Sequence, residues 1–202
     1  MAVATITTEP DGPLTQSHQE EIAAAHDRAR KIRKAAGVAN FNGWVTGFFA
    51  VTSIPFAFFS LISFIVMAGL SIVTYNEFMG RKRLLRFDPK AAAFLGWNQI
   101  GFLALIICYC LWMLVAGLMS EGPFAAELEA KPELREVFDS VDGFDVLYKM
   151  IIAAVYGLVI FLSVIFQGFN AFYYFTRRKF LDAYVRETPD WVINLQRLTT
   201  KT

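Results

Sequence analysis

Four amide side chains interrupt the apolar segments of this 202-residue chain at positions that suit hydrogen bonding between helices. They are Asn98, Gln99, Gln167 and Asn170, and the last two lie three residues apart on one face of a predicted helix. An amide left against hydrocarbon without a partner costs several kcal/mol, so such groups should face one another, another subunit or water. The sequence therefore predicts a polar cluster inside a helix bundle, near its cytoplasmic end. The alternative is that these amides line a polar vestibule open to the cytoplasm.

Two basic clusters border the apolar segments and are candidates for binding lipid headgroups. The clusters are Arg81, Lys82, Arg83 and Arg86 in one connection, and Arg177, Arg178 and Lys179 after the last apolar segment. A basic residue near an anionic membrane surface contributes ~1 kcal/mol to binding. Anionic lipids are thus predicted partners, although the same residues would equally serve only to anchor the topology. The net charge of +1 predicts no nucleic-acid partner.

The other reactive side chains form no catalytic or metal-binding pattern in the sequence. Cys108 and Cys110 would point about 200° apart on a helix, so they cannot form a disulfide with each other. His18 and His26 have no matching cysteine or carboxylate cluster. The acidic run 139–145 fails the EF-hand spacing, because its glycine at position six would place a phenylalanine at position one. We therefore predict no catalytic residue, no metal ligand and no cofactor, and a protein that is not an enzyme.

Three apolar blocks, 41–79, 97–119 and 147–175, indicate an integral membrane protein. A helix needs ~20 apolar residues to cross ~30 Å of hydrocarbon, which fits the second and third blocks. The first block would form a helix of ~60 Å, which is too long for one crossing, so it must fold back on itself. The break is predicted at Thr52–Pro55, because proline disfavours a continuous helix. The predicted fold class is all-α: a four-helix transmembrane bundle with cytoplasmic N- and C-terminal amphipathic helices and a short helical outer loop.

The first two predicted spans form a hairpin that combines small and aromatic residues. Gly43 and Gly47 make a Gly-x-x-x-Gly step, which lets two backbones approach closely within the hairpin or between subunits. Many of the 20 Phe residues of the chain lie in this hairpin and need neighbouring helices, other subunits or lipid tails to cover them. We therefore expect contacts with a second copy or with other membrane subunits through spans 1 and 2.

The distribution of Lys and Arg sets the predicted topology. Basic residues collect before the first block, after the first block and after the last block, whereas the connection 120–146 is acidic. Because Lys and Arg resist translocation, four spans with both termini inside place every basic cluster in the cytoplasm. Three spans, with one kinked first helix, would place the basic segment 81–90 outside. Residues 1–27 do not resemble a cleaved signal peptide.

This topology divides the chain into seven segments. They are a cytoplasmic tail with a basic amphipathic helix (1–39), a transmembrane hairpin (40–79), a basic cytoplasmic loop (80–96), span 3 (97–119), an acidic outer loop (120–146), span 4 (147–176) and a cytoplasmic amphipathic tail (177–202).

Both tails carry helix signals. A helix over 18–36, begun by a capping box at Ser17, has a narrow alanine-rich stripe, and basic residues line much of the remainder near its end. We predict that this helix lies against anionic headgroups, and the alternative is an ordinary positive-inside flank. Residues 188–190 predict the start of a last short helix, whose apolar face includes Trp191 and suits the headgroup boundary.

The basic loop has two local signals. Glu77 and Arg81 have the i, i+4 order that favours an ion pair along a helix. Asp88 and Pro89 have the residue types of an N-cap and a first helical position, so they predict the start of the helix that enters span 3.

A set of motifs across residues 75–199 resembles a group of small bacterial four-span membrane proteins. The motifs are Glu77-x-x-Gly80-Arg81, Asp88-Pro89, Gly96-Trp97-Asn98-Gln99, Gln167-Gly168-x-Asn170-Ala171-x-Tyr173-Tyr174, Arg177-Arg178 and Glu187-Thr188-Pro189-x-Trp191. That group has no function we know of, so the resemblance implies the four-span topology and a bacterial source. The expected location is the bacterial cytoplasmic (inner) membrane, as a multi-pass protein with both termini in the cytoplasm.

Two functional hypotheses follow. The first is a non-catalytic membrane component that acts as a scaffold, a homo-oligomer or an accessory subunit of a larger complex. The second is a small channel or carrier whose cytoplasmic vestibule is lined by the four amides. The first is preferred because no charged side chain is predicted at mid-membrane, where ion-coupled carriers usually place one.

Overall fold

The computed structural model describes residues 14–119 and 144–199. Within these two ranges every regular element is a helix, which confirms the all-α prediction. The helices, numbered along the chain, are α1 (Gln16–Thr52), α2 (Ile54–Ala57), α3 (Leu61–Leu85), α4 (Ala91–Met119), α5 (Phe144–Glu187) and α6 (Asp190–Thr199). Residues 120–143, which make up most of the predicted outer loop, lie outside the described part of the chain.

Three helices, α3, α4 and α5, are long and apolar enough to cross a membrane. The length and apolar composition of these three helices support the prediction of a membrane protein with transmembrane helices. The predicted first span is the C-terminal half of α1, a single helix of 37 residues that also includes the predicted N-terminal helix. This helix begins two residues earlier than predicted, because Thr15 and His18 form the capping box instead of Ser17 and Glu20.

The first apolar block folds back at the position predicted. Helix α1 ends at Thr52, Pro55 lies in the first turn of α2, and the Ser60 side chain accepts a hydrogen bond from the Ile62 N–H at the start of α3. Helices α1 and α3 then run antiparallel and close together. The Thr74 hydroxyl donates to the Thr46 hydroxyl oxygen across this contact at 3.1 Å.

The connection between α3 and α4 is a Schellman turn with an aromatic residue in an unusual conformation. The Asp88 N–H donates to the Arg83 carbonyl, and the Phe87 N–H donates to the Leu84 carbonyl. Phe87 has φ 56°, a left-handed conformation that normally favours glycine. Its ring is buried and stacks on Tyr184 with 4.2 Å between the centroids, which helps to hold the strained residue in place.

The start of α4 agrees with the predicted helix signal. The Asp88 carboxylate accepts a hydrogen bond from the Lys90 N–H at 2.9 Å, and α4 begins at Ala91. Here α3 and α4 approach so closely that a Cβ on Gly80 would overlap the side chain of Leu95. This close approach allows side chains of α4 to reach into α3.

Helices α4 and α5 form the second antiparallel pair. A Cβ on Gly96 would lie 2.7 Å from the Phe175 ring, and a Cβ on Gly117 would lie 2.8 Å from Ile152. Contacts therefore extend from one end of α4 to the other. Small residues set the helix spacing at both ends of the pair.

An apolar core fills the end of the bundle at which α3 ends and α4 begins. It draws residues from α1, α3, α4, α5, α6 and the α3–α4 connection, and includes Ala25, Ala29, Ile32, Ala35, Ala36, Ala39, Leu84, Phe87, Ala91, Leu95, Leu181, Tyr184, Val192 and Ile193. The alanine-rich stripe over 18–36 therefore packs against the protein's own helices. Alanine permits the close helix approach that this packing needs. The predicted contact of the basic residues of this helix with headgroups stays a prediction. In α6, Val192 is also buried, whereas Trp191 stays partly exposed and contacts the His18 ring.

Candidate functional site

The most distinctive site is a carboxylate buried among helices. Glu77 lies on the one face of α3 that is buried, together with Val73, Gly80 and Leu84, at the spacing of a single helix stripe. Its side chain is 0% exposed. Because this stripe faces the other helices, the sequence position of Glu77 directs its carboxylate into the protein.

Neutral donors from two other helices surround the Glu77 carboxylate. The Asn98 and Gln99 amides of α4 each donate to Oε1 at 2.8 Å. The Tyr174 hydroxyl of α5 donates to Oε2 at 3.1 Å. Carboxylate oxygens are strong acceptors, and these three hydrogen bonds supply partners to both of them.

A second layer of hydrogen bonds orients the donors. The Asn98 amide nitrogen also donates to the Val73 carbonyl, and the Asn98 side-chain oxygen accepts from the Asn76 amide at 3.1 Å. The Asn42 amide of α1 donates to the Tyr174 hydroxyl oxygen at 3.2 Å. One connected network, the Glu77 network, therefore joins α1, α3, α4 and α5.

The predicted pairing of Glu77 with Arg81 is absent from the ion pairs that the structure describes, which are Arg178–Asp182 and Arg186–Glu187. The helix does continue through Gly80, as that pairing required. The carboxylate turns inward because amide and phenol donors are available there. Arg81 remains half-buried one turn further along α3.

The four predicted cluster amides occupy two different places. Asn98 and Gln99 are buried, and both amides donate to the Glu77 carboxylate. Gln167 and Asn170 are half-buried on α5, and within the described residues neither forms a hydrogen bond with that pair. The side-chain oxygens of Gln99 and Gln167 are buried without a hydrogen-bond partner in the same part of the chain.

The predicted helix-packing glycines lie between α1 and α3. A Cβ on Gly43 would meet the Phe78 ring at 3.1 Å, and a Cβ on Gly47 would meet Thr74 at 3.2 Å. Both glycines thus occupy an intramolecular contact within the hairpin. That face of α1 is already covered by α3.

The candidate headgroup residues lie around the same end of the bundle. Arg83 packs over the Phe94 ring, and Lys82 and Arg86 are exposed. The Arg86 carbonyl accepts a hydrogen bond from Arg197 at 3.0 Å, which joins the basic loop to α6. In α5, Arg177 and Lys179 stack on aromatic rings and Arg178 pairs with Asp182 at 3.7 Å.

Sequence reasoning missed Glu77, Asn76 and Tyr174 as members of one network. The available signal was position: Glu77 shares a helix face with Val73 and Gly80, so a helical projection places it inward. Tyr174 gave no comparable signal, because the sequence alone does not show that α5 brings it within reach of α3.

The site is suited to joining helices and offers little to a metal. Among the described residues no group of three His, Cys, Asp or Glu side chains gathers in one place. Glu77 is the one carboxylate in its network, and its other members are amides and a phenol. Comparisons with protein-family models, with curated proteins and with solved structures find no match to this chain.

Proposed function

We propose that this protein is a non-catalytic component of the bacterial cytoplasmic membrane, acting as a scaffold, a homo-oligomer or an accessory subunit of a larger complex. In this proposal the C-terminal half of α1 is a fourth, short span, and both termini are cytoplasmic. The positive-inside distribution of basic residues and the antiparallel α1–α3 hairpin support that arrangement.

The observation that carries the proposal is how little of the spans the chain itself buries. In the most apolar 18-residue stretch of α5 no residue is buried, and in the corresponding stretch of α4 only 6% of the residues are buried. A self-sufficient bundle would bury a stripe along each helix. The spans of this chain therefore have apolar faces that other molecules must cover.

The hairpin offers the most aromatic of these faces. Its exposed large side chains include Trp44, Phe48, Phe49, Phe56, Phe58, Phe59 and Phe64, and Phe58 and Phe59 are 84% and 86% exposed. Aromatic residues are enriched in the centres of protein interfaces, because they bury much area with few rotatable bonds. We assign this face to a second copy or another membrane subunit.

The Glu77 network supports a structural role for the same helices. Its hydrogen bonds join α1, α3, α4 and α5, so the helices that present the aromatic face are held in fixed relative positions. A rigid presenting surface lowers the entropic cost of association.

Photo-crosslinking tests this proposal in native membranes. A photoreactive phenylalanine at Phe48 or Phe58 should give covalent adducts of protein size, whereas the same probe at exposed Lys90 in the basic loop should not. Mass spectrometry of the adduct identifies the partner as a second copy or another chain. Lipid adducts alone, together with a monomeric mass in mild detergent, would refute the scaffold role.

Within residues 14–119 and 144–199, the buried side-chain oxygens of Gln99 and Gln167 have no hydrogen-bond partner, which supports a second candidate function, a channel or carrier. An ion crossing an apolar middle would lose its hydration without replacement ligands, so we expect no transport. Purified protein in liposomes should therefore give no ion flux above that of empty vesicles. A selective flux that disappears in Gln167→Leu would establish the channel and reject the scaffold.

A further inference from the structure

A groove of about 510 Å³ lies between α1 and α5, at the end of the apolar part of α5. Val38 of α1 lines one side, and α5 contributes Phe166, Phe169, Asn170, Tyr173 and Arg177. Phe166, Phe169 and Phe172 are well exposed, so the groove opens to the surroundings of the bundle and not to its interior. It is separate from the Glu77 network.

The groove has one basic end. Arg177 lies at the boundary between the apolar segment and the basic cluster, and its guanidinium packs over the Tyr173 ring at 4.2 Å. Its Nε atom is buried and has no hydrogen-bond partner among the described residues. Among the described residues this donor is left unsatisfied, which is costly for a buried polar group.

Lys31 and Lys179 also lie near this end, and Asp27 and Glu187 line a neighbouring pocket together with Lys31 and Phe180. Lys31, Lys179 and Arg177 lie 4.1, 5.1 and 5.5 Å from the centroid of the Phe180 ring. The ion pairs described in the structure do not involve these three residues. Aromatic contact holds them together, and their combined positive charge favours an anion.

The length of the groove matches one leaflet of a membrane. Phe166 lies eleven positions before Arg177, or about 16 Å along the helix, which is about half of the ~30 Å hydrocarbon thickness. Asn170 lies between these two levels.

We propose that this groove binds one anionic glycerophospholipid, with its phosphodiester on Arg177 and an acyl chain along Phe166 and Phe169. Charge complementarity at one end and the leaflet-length aromatic wall together favour a lipid over a soluble anion. The inference rests on the membrane placement of α5 and is independent of the proposed scaffold role.

Native mass spectrometry of the full chain in mild detergent tests the site, with phosphatidylglycerol as the probe. Phosphatidylglycerol should bind with one-to-one stoichiometry, and Arg177→Gln should weaken it about tenfold, as expected for loss of one charge-assisted hydrogen bond. The matched control is Arg186→Gln, which removes the same charge from an exposed residue of α5 that pairs with Glu187. It should leave the affinity nearly unchanged.

Two further measurements separate the alternatives. Inorganic phosphate at millimolar concentration should not displace the lipid, because it cannot occupy the aromatic wall. Displacement by phosphate would show a simple anion site and overturn the lipid assignment. Equal losses in Arg177→Gln and Arg186→Gln, or binding of phosphatidylcholine that Arg177→Gln does not affect, would overturn the site itself. Thermal unfolding of both variants checks that each remains folded, and binding persists whether or not crosslinking finds a protein partner.

Discussion

At the residue scale, Glu77 is the centre of the polar structure of the bundle. Its carboxylate accepts hydrogen bonds from Asn98, Gln99 and Tyr174, and every one of these donors is neutral. Removing such an acceptor leaves buried donors unpaired, at a cost of about 1–3 kcal/mol each. The network therefore makes a single side chain important to the packing of several helices.

Glu77→Ala should lower the free energy of unfolding by about 3 kcal/mol or more, because three donors lose their acceptor. Glu77→Gln should cost less, since its remaining carbonyl oxygen can still accept from both amides. Unfolding in mixed micelles measures both changes, with Glu187→Ala at the exposed end of α5 as a control expected within about 0.5 kcal/mol of the wild type. Wild-type stability of Glu77→Ala would show that the network contributes nothing.

Phe87 allows a second test at this scale, because its φ of 56° reverses the usual order of alanine and glycine. Phe87→Ala should cost about 3 kcal/mol through loss of the stacked, buried ring. Phe87→Gly should be more stable than Phe87→Ala by about 1 kcal/mol, since glycine adopts the left-handed conformation without steric cost. If the alanine variant is the more stable one in thermal unfolding, the connection does not need that conformation.

At the element scale, glycines set the distances at which helix pairs pack. Gly80 lies against the fully buried Leu95, and this contact brings α4 near enough for Asn98 and Gln99 to reach α3. The spacing of the helices and the Glu77 network are thus parts of one arrangement, because a wider spacing would lengthen the hydrogen bonds to the carboxylate.

Gly80→Ala should destabilise the protein by about 1–3 kcal/mol, because the added methyl group overlaps Leu95 in a filled space. The matched control is Gly37→Ala on α1, where nothing lies within 4 Å of the new Cβ. That change should be neutral or stabilising by up to about 1 kcal/mol, since alanine is the better helix former. Equal effects of the two substitutions on the unfolding midpoint would contradict close α3–α4 packing.

At the scale of the whole molecule, the protein has two unequal ends. The end with the α3–α4 connection has the buried core, the Glu77 network and most of the described basic residues. Toward the other end the α1–α3 and α4–α5 pairs expose most of their apolar surface. Such a molecule is well packed on its basic side and depends on lipid or other chains elsewhere.

Cysteine labelling tests the proposed orientation of this asymmetry. In a variant with Cys108 and Cys110 replaced, a membrane-impermeant maleimide should label Glu127→Cys in spheroplasts and Lys82→Cys only after lysis. The physical reason is that Lys and Arg resist translocation. Equal labelling of both positions in intact spheroplasts would reject the four-span hairpin topology.

The sequence by itself determined the helical class, the apolar spans, the break at Thr52 and the start of α4 near Asp88. These features depend on local properties, namely hydrophobic length, proline sterics and capping, which need no knowledge of neighbouring helices.

Only the tertiary structure decided which polar groups meet. Glu77 has a favourable helical partner in Arg81, yet its carboxylate turns toward donors that come from distant parts of the chain. The alanine-rich stripe over 18–36 could face either headgroups or protein. It is buried because α5 and α6 pack beside it. Helix faces can be identified from periodicity, but the identity of their partners depends on helix pairing, which a single sequence does not specify.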